Sequence, residues 1–170
     1  MKLIITNVTT LANVVYIACM GAACSPLANA SPSPFDVVCT VTVSTVSFGF
    51  YRPSDTVPDD STGTATVFCQ SGAKATYTLK MSVGSIPTKG SRTLSAGADT
   101  LNYDIYLDSA RTQKWGDGTN GTVFVRDTMN IPNDRTGRTF TYPIYGRVPP
   151  GQQKNLGSYL DSITATLNYN

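Results

Sequence analysis

Tyr159-Leu160-Asp161-Ser162-Ile163-Thr164-Ala165-Thr166-Leu167-Asn168-Tyr169-Asn170 is the stretch whose reading decides the fold. Laid out as an extended chain, it places Ile163, Ala165, Leu167 and Tyr169 on one side and Ser162, Thr164, Thr166 and Asn168 on the other. Successive side chains of a strand point to opposite faces, so this alternation describes a strand with one buried face and one wet face. Such a strand needs a neighbour along each edge, because an open edge is a row of unpaired N–H and C=O groups. What occupies those edges is the functional question the sequence raises.

The 170 residues suffice for one domain with a substantial core and are few for two. All 11 acidic residues are Asp, and Glu is absent. Thr, Val, Tyr, Ser and Gly are plentiful instead, a composition that favours strands over helices. The net charge of +2 is small and scattered, which argues against a nucleic-acid surface. The sequence has no His, and so lacks the commonest general acid/base near neutral pH and the commonest metal ligand. Ser-His-Asp triads and Cys-His pairs are thereby excluded, and no enzymatic activity or cofactor is expected.

The N-terminus reads as an export signal. Lys2 supplies one positive charge, Val14 to Ala23 a short apolar region, and Ala28-Asn29-Ala30 the small residues that a signal peptidase reads. The apolar run is too short, and too interrupted by Thr and Asn upstream, to span a membrane. A lipoprotein signal cleaved before Cys24 ranks second, since Gly21 stands where a larger aliphatic residue is usual. The domains are then residues 1–30 as signal and 31–170 as the folded unit, with 12 basic against 11 acidic residues for a net charge of +1. Cys39 and Cys69 alone remain after cleavage, and an even pair in an exported chain implies a disulfide. Two Cys without His cannot complete a zinc shell.

Further strands follow in order. Val37, Cys39, Val41 and Val43 alternate with polar partners, and the apolar phase then slips to Val46, Phe48 and Phe50. That slip predicts a bulge or a change of sheet near Ser44-Thr45. Arg52 to Gly63 reads as a polar loop, and Ala65, Val67 and Cys69 as a strand closed by a turn at Gln70-Ser71-Gly72. Tyr77, Leu79, Met81 and Val83 alternate cleanly; Gly84 to Asp99 reads as a long Ser/Gly/Thr-rich loop. Leu101, Tyr103, Ile105 and Leu107 make another strand, followed by a glycine-rich turn from Trp115 to Gly121. A short strand from Val123 ends at Asn130-Ile131-Pro132-Asn133-Asp134, and Phe140, Tyr142 and Ile144 begin another, whose Pro143 marks it as an edge or bulged strand. Seven or so short strands without a helix-period segment describe an all-β, immunoglobulin-like β-sandwich.

Several blocks together resemble the spore coat protein U family, whose members include subunits of archaic (Csu-type) chaperone–usher pili. They are Cys39-Thr40-Val41 with Phe48-Gly49-Phe50-Tyr51, Val67-Phe68-Cys69, and Leu101-Asn102-Tyr103-Asp104-Ile105-Tyr106 with Trp115-Gly116-Asp117-Gly118. Tyr145-Gly146-Arg147-Val148-Pro149, Gly157-Ser158-Tyr159-Leu160-Asp161 and the terminal strand complete the set. The resemblance implies an incomplete sandwich that lacks its last strand. A periplasmic chaperone lends a strand during transit, an outer-membrane usher assembles the fibre, and a neighbouring pilin subunit then replaces the lent strand by β-augmentation. By the same resemblance, Ile163, Ala165, Leu167 and Tyr169 carry the contact to chaperone and subunit.

A donor strand needs several alternating apolar residues ahead of Cys39, yet Ser31 to Val38 offers only Pro32, Pro34, Phe35 and Val37. A subunit that accepts a strand better than it gives one belongs near the tip of a fibre or among its minor subunits. The expected function is thus structural, in adhesion and biofilm formation, with export through the periplasm to the cell surface. The alternative is a self-sufficient secreted coat protein, or a surface- or glycan-binding module, with a complete sandwich. Gly116-Asp117-Gly118-Thr119-Asn120-Gly121 lacks EF-hand spacing and reads as a turn held by Asp and Asn. Asp59-Asp60 and Asp104/Asp108 read as solvated residues, and Trp115 as core rather than a sugar platform.

Overall fold

Every regular element of the described residues is a strand, as the Thr- and Val-rich composition requires. The computed structural model describes residues 2–12, 36–71, 73–84, 91–132 and 136–170. In chain order the strands are β1 (Lys2–Ala12), β2 (Val38–Val43), β3 (Val46–Ser47), β4 (Asp59–Gln70), β5 (Lys74–Met81), β6 (Arg92–Ala96), β7 (Asp99–Tyr106), β8 (Val125–Asn130), β9 (Arg138–Val148) and β10 (Leu160–Tyr169). The apolar segment after Val14, Cys24, the cleavage site at Ala30, residues 31–35, Gly72 and Asn133-Asp134 lie outside the described residues.

Strands β2, β4, β9 and β7 pair side by side as one layer, and β8, β5, β10, β1 and β3 as the other. Strand β6 joins the layers by pairing with β7 and, at Ser95, with Leu160 of β10. All ladders are antiparallel except that of β1 with β10. The fold is an immunoglobulin-like sandwich whose inner faces carry Val41, Val67, Leu79, Met81, Leu101, Ile105 and Ile144. Cys39 and Cys69 face each other across the β2–β4 ladder, Cα atoms 4.1 Å apart, and are joined by a disulfide.

The slip of apolar phase at Ser44-Thr45 is a change of sheet. Strand β2 pairs with β4 in one layer, whereas β3 pairs with β1 in the other. Ser44 holds the crossing: its N–H donates to Thr64 O (2.8 Å), and its Oγ accepts from Thr64 N–H (2.8 Å). Phe48 then lies over Gly146, where a Cβ would come within 2.7 Å of its ring, so β9 needs glycine there. Phe50, expected on the same apolar phase, is instead 75% exposed.

Two segments read as loops are strands in part. Asp59–Gly63 belongs to β4, because the ladder with β9 runs from Asp59↔Val148 to Cys69↔Arg138. Arg92–Ala96 forms β6 within the segment expected to be a long loop. Pro143 sits opposite Thr64, in the half of β9 that β7 does not reach, consistent with an edge position. Trp115 is wholly buried; its indole N–H donates to Leu79 O (3.2 Å) and its backbone N–H to Ile105 O (2.9 Å).

Candidate strand-acceptor groove

The groove is built around β10. One edge of β10 pairs antiparallel with β5, from Ala165↔Met81 to Tyr169↔Tyr77. Alternate side chains Ile163, Ala165 and Leu167 are fully buried, and Tyr169 packs half-buried against the same core. These expected pairing residues therefore point into the sandwich. Along its edge β10 presents backbone, with those apolar side chains turned into the interior.

The second edge of β10 is taken by β1. Lys2, Leu3 and Ile4 pair with Leu160, Asp161 and Ser162; after an irregularity, Asn7 to Ala12 pair with Thr164 to Tyr169. On its other side β1 pairs antiparallel with β3, Lys2↔Ser47 and Leu3↔Val46. Among the described residues from Asp36 onward, no strand pairs with this edge of β10. Strand β1 thus occupies the gap between β10 and β3. Its sequence signal was present, since Ile4, Ile5, Thr6, Val8, Thr9 and Thr10 form a β-branched run.

The start of β10 is fixed by a polar cluster that sequence reasoning missed. Asp161 is buried, and Tyr103 of β7 donates its hydroxyl proton to Asp161 Oδ2 at 2.7 Å. Burial pushes the Tyr103 phenol far above its ordinary value, and the carboxylate of Asp161 adds to the shift. Arg92, only 3% exposed, donates from Nε and Nη2 to Ser82 O (3.0 and 2.8 Å) and from Nη2 to Trp115 O (2.6 Å). Its Nη1 lies 3.6 Å from Asp104 Oδ1, and Lys114 Nζ lies 2.6 Å from Asp104 Oδ2. Burial pulls the Arg92 guanidinium below its ordinary value, while Tyr103, Asp104 and Asp161 oppose that pull. Gly84, with φ +95°, faces Asp161 so closely that a Cβ would collide with the carboxylate.

The far end of β10 has its own polar seal. Tyr142 donates to Asp127 Oδ2 (2.8 Å), and the Tyr142 and Tyr77 hydroxyls hydrogen-bond each other between the two layers. Elsewhere Asp117 Oδ1 accepts from Thr119 N–H (2.9 Å) and Thr119 Oγ1 (2.6 Å), so the glycine-rich segment is an Asp-held turn. Among the described residues, no group of three or more His, Cys, Asp or Glu is placed to hold a metal ion. No helix among them is long and apolar enough to cross a membrane.

The sequence profile of the Spore Coat Protein U domain matches residues 29–166. The chain belongs to that family. Within the family's reach, Protein U of Myxococcus xanthus is 29% identical over 136 residues, which cover 74% of this chain and 72% of the relative. Among solved structures, a chain of the CsuC–CsuE chaperone–tip adhesion subunit pre-assembly complex, from the archaic chaperone–usher Csu pili of Acinetobacter baumannii, shares the fold. It superposes with a TM-score of 0.50 at 20% identity, over 77% of this chain and 39% of that one. The Spore Coat U domain here spans well under half of that longer chain.

Proposed function

We propose that this Spore Coat U protein is an exported structural subunit of a chaperone–usher surface pilus, assembled by strand complementation along β10. The observation that carries the reading is the second edge of β10: the described residues from 36 to 170 form a sandwich in which β10 has strand partners on one side only. The fold shared with a chain of a chaperone–tip subunit complex supports the same reading. In this reading residues 1–30 are removed on export and residues 31–170 are the mature subunit. A periplasmic chaperone, the outer-membrane usher and neighbouring pilins successively meet β10, with Ile163, Ala165, Leu167 and Tyr169 supplying the apolar wall. Pro32 and Pro34 leave a poor donor ahead of Cys39, which favours a minor or tip-proximal position and a role in adhesion and biofilm formation.

Antibody against residues 31–170, used for immunogold microscopy of cells that carry the gene, tests the proposal. Label on surface filaments, lost when Leu167→Asp is introduced, is the expected result. Mass spectrometry of the filament protein should find Ser31 at its N-terminus. The family's description as a coat protein favours one second reading, a self-sufficient secreted coat or surface-binding sandwich. Uniform, filament-free label on the cell surface would establish that reading instead.

A further inference from the structure

We infer that Lys2–Ala12 is an intramolecular occupant of the acceptor groove, so that the uncleaved chain is self-capped and loss of the segment opens β10 to a strand from another protein. The inference rests on the strand-acceptor reading and adds a regulator to it. Nine residues of β1 pair in parallel with β10, reaching from Leu160 to Tyr169, the full length of that strand. The same segment reaches β3 on its other side, which joins the two edges that would otherwise stay open. A strand inserted between two edges satisfies backbone groups on both of them, whereas a segment merely lying on the surface satisfies neither. The segment that closes the fold is also part of the stretch read as an export signal. A chain from which that signal has been cleaved would therefore lack this strand, and its groove would be open. The occupant is a tethered strand, so it competes at a high effective concentration against any strand offered in trans.

The experiment uses the full chain, residues 1–170, made in an oxidising cytoplasm out of reach of signal peptidase, and the full-chain variant Val8→Pro/Thr9→Pro. Successive N–H groups of a strand point to opposite sides, so one of these two prolines removes a donor facing β10. The readouts are amide hydrogen exchange along Thr164–Tyr169 and binding of a fluorescent synthetic peptide of residues 2–12. The expected result is slow exchange and no peptide binding in the parent. In the variant, exchange should be faster by on the order of tenfold or more, with one peptide bound per chain. Fast exchange and peptide binding in both proteins would overturn self-capping while leaving an acceptor groove. Slow exchange and no binding in both would overturn the strand-acceptor reading as well. Protection along the β4–β9 ladder shows whether the variant folds. If it does not, a protease site placed within residues 13–30 of the parent and cut after folding replaces it. Exchange of the cut fragment for labelled peptide supports the inference; release of the fragment without loss of β10 protection overturns it.

Discussion

Asp59 and Asp60 are adjacent on β4, yet their surroundings give them opposite responses to pH. Asp59 Oδ2 is buried without a hydrogen-bond partner among the described residues, and burial raises its carboxyl above the usual 3.8. Asp60 accepts from Arg147 Nε and Nη2 (2.7 and 2.8 Å), with Arg111 Nε at 3.3 Å, and these guanidinium contacts hold its carboxyl below 3.8. A raised folded value means the native state holds its proton more tightly, so the stability Asp59 contributes is present below 3.8 and lost as pH rises through its folded value. A depressed value reverses the sign: the stability from Asp60 is present above 3.8 and lost as pH falls through its folded value. Asp59→Asn should therefore gain on the parent as pH rises above 3.8, and Asp60→Asn should flatten the acid limb below it. Urea unfolding from acid to neutral pH checks both, and matching profiles for the two variants would refute the assignment. Deeper in the fold, Tyr103→Phe removes a hydrogen bond to the buried Asp161 carboxylate. A loss of about 1.5–3 kcal/mol is expected, read from the urea midpoint.

At the scale of elements, β10 was legible because its alternation is uninterrupted and, from Ile163 onward, its fully buried positions are apolar. Leu167 is wholly buried and Thr166 only half-buried, so the two should part company on truncation. Leu167→Ala is expected to cost about 2–5 kcal/mol through lost burial and a cavity. Thr166→Ala should stay within about 0.5 kcal/mol, and equal costs would contradict the observed facing. The Cys39–Cys69 pairing was legible from the count of cysteines left after the expected cleavage, although not its position directly across a ladder. Strand β6 was hidden because Arg92, Thr93 and Leu94 are all buried, which leaves no alternation to read. The guanidinium of Arg92 is tolerated there because Ser82 and Trp115 lend it backbone carbonyls and Asp104 lies beside it, long-range facts invisible in the local sequence. The start of β4 was hidden by its two Asp and its Gly, residues that favour loops until β9 supplies a ladder. Strand β1 was hidden for a different reason: an apolar, β-branched N-terminal run suits an export signal and a strand equally well.

For the molecule as a whole, the groove and the charge distribution together set how assembly should respond to solution conditions. The contacts available along Ile163–Leu167 of β10 are main-chain hydrogen bonds and the apolar side chains of Ile163, Ala165 and Leu167, none of them charged. The chain's net charge of +2 gives little long-range field to steer a partner. Added salt shortens the screening length from about 10 Å at 0.1 M to about 3 Å at 1 M, which weakens exposed ion pairs but leaves ladder hydrogen bonds and apolar burial in place. Binding of a complementary strand to a chain with its groove open should therefore change by less than about threefold between those salt concentrations, with any trend toward tighter binding. Reduction of Cys39–Cys69, by contrast, removes a crosslink spanning 30 residues and should destabilise the sandwich by about 3–4 kcal/mol in the chain-entropy account. Fluorescence anisotropy of a labelled strand peptide, titrated at low and high salt with the disulfide intact, separates the two effects. A steep fall in affinity with salt would mean that charged side chains rather than the β10 backbone hold the partner, and the strand-pairing mechanism would have to be abandoned.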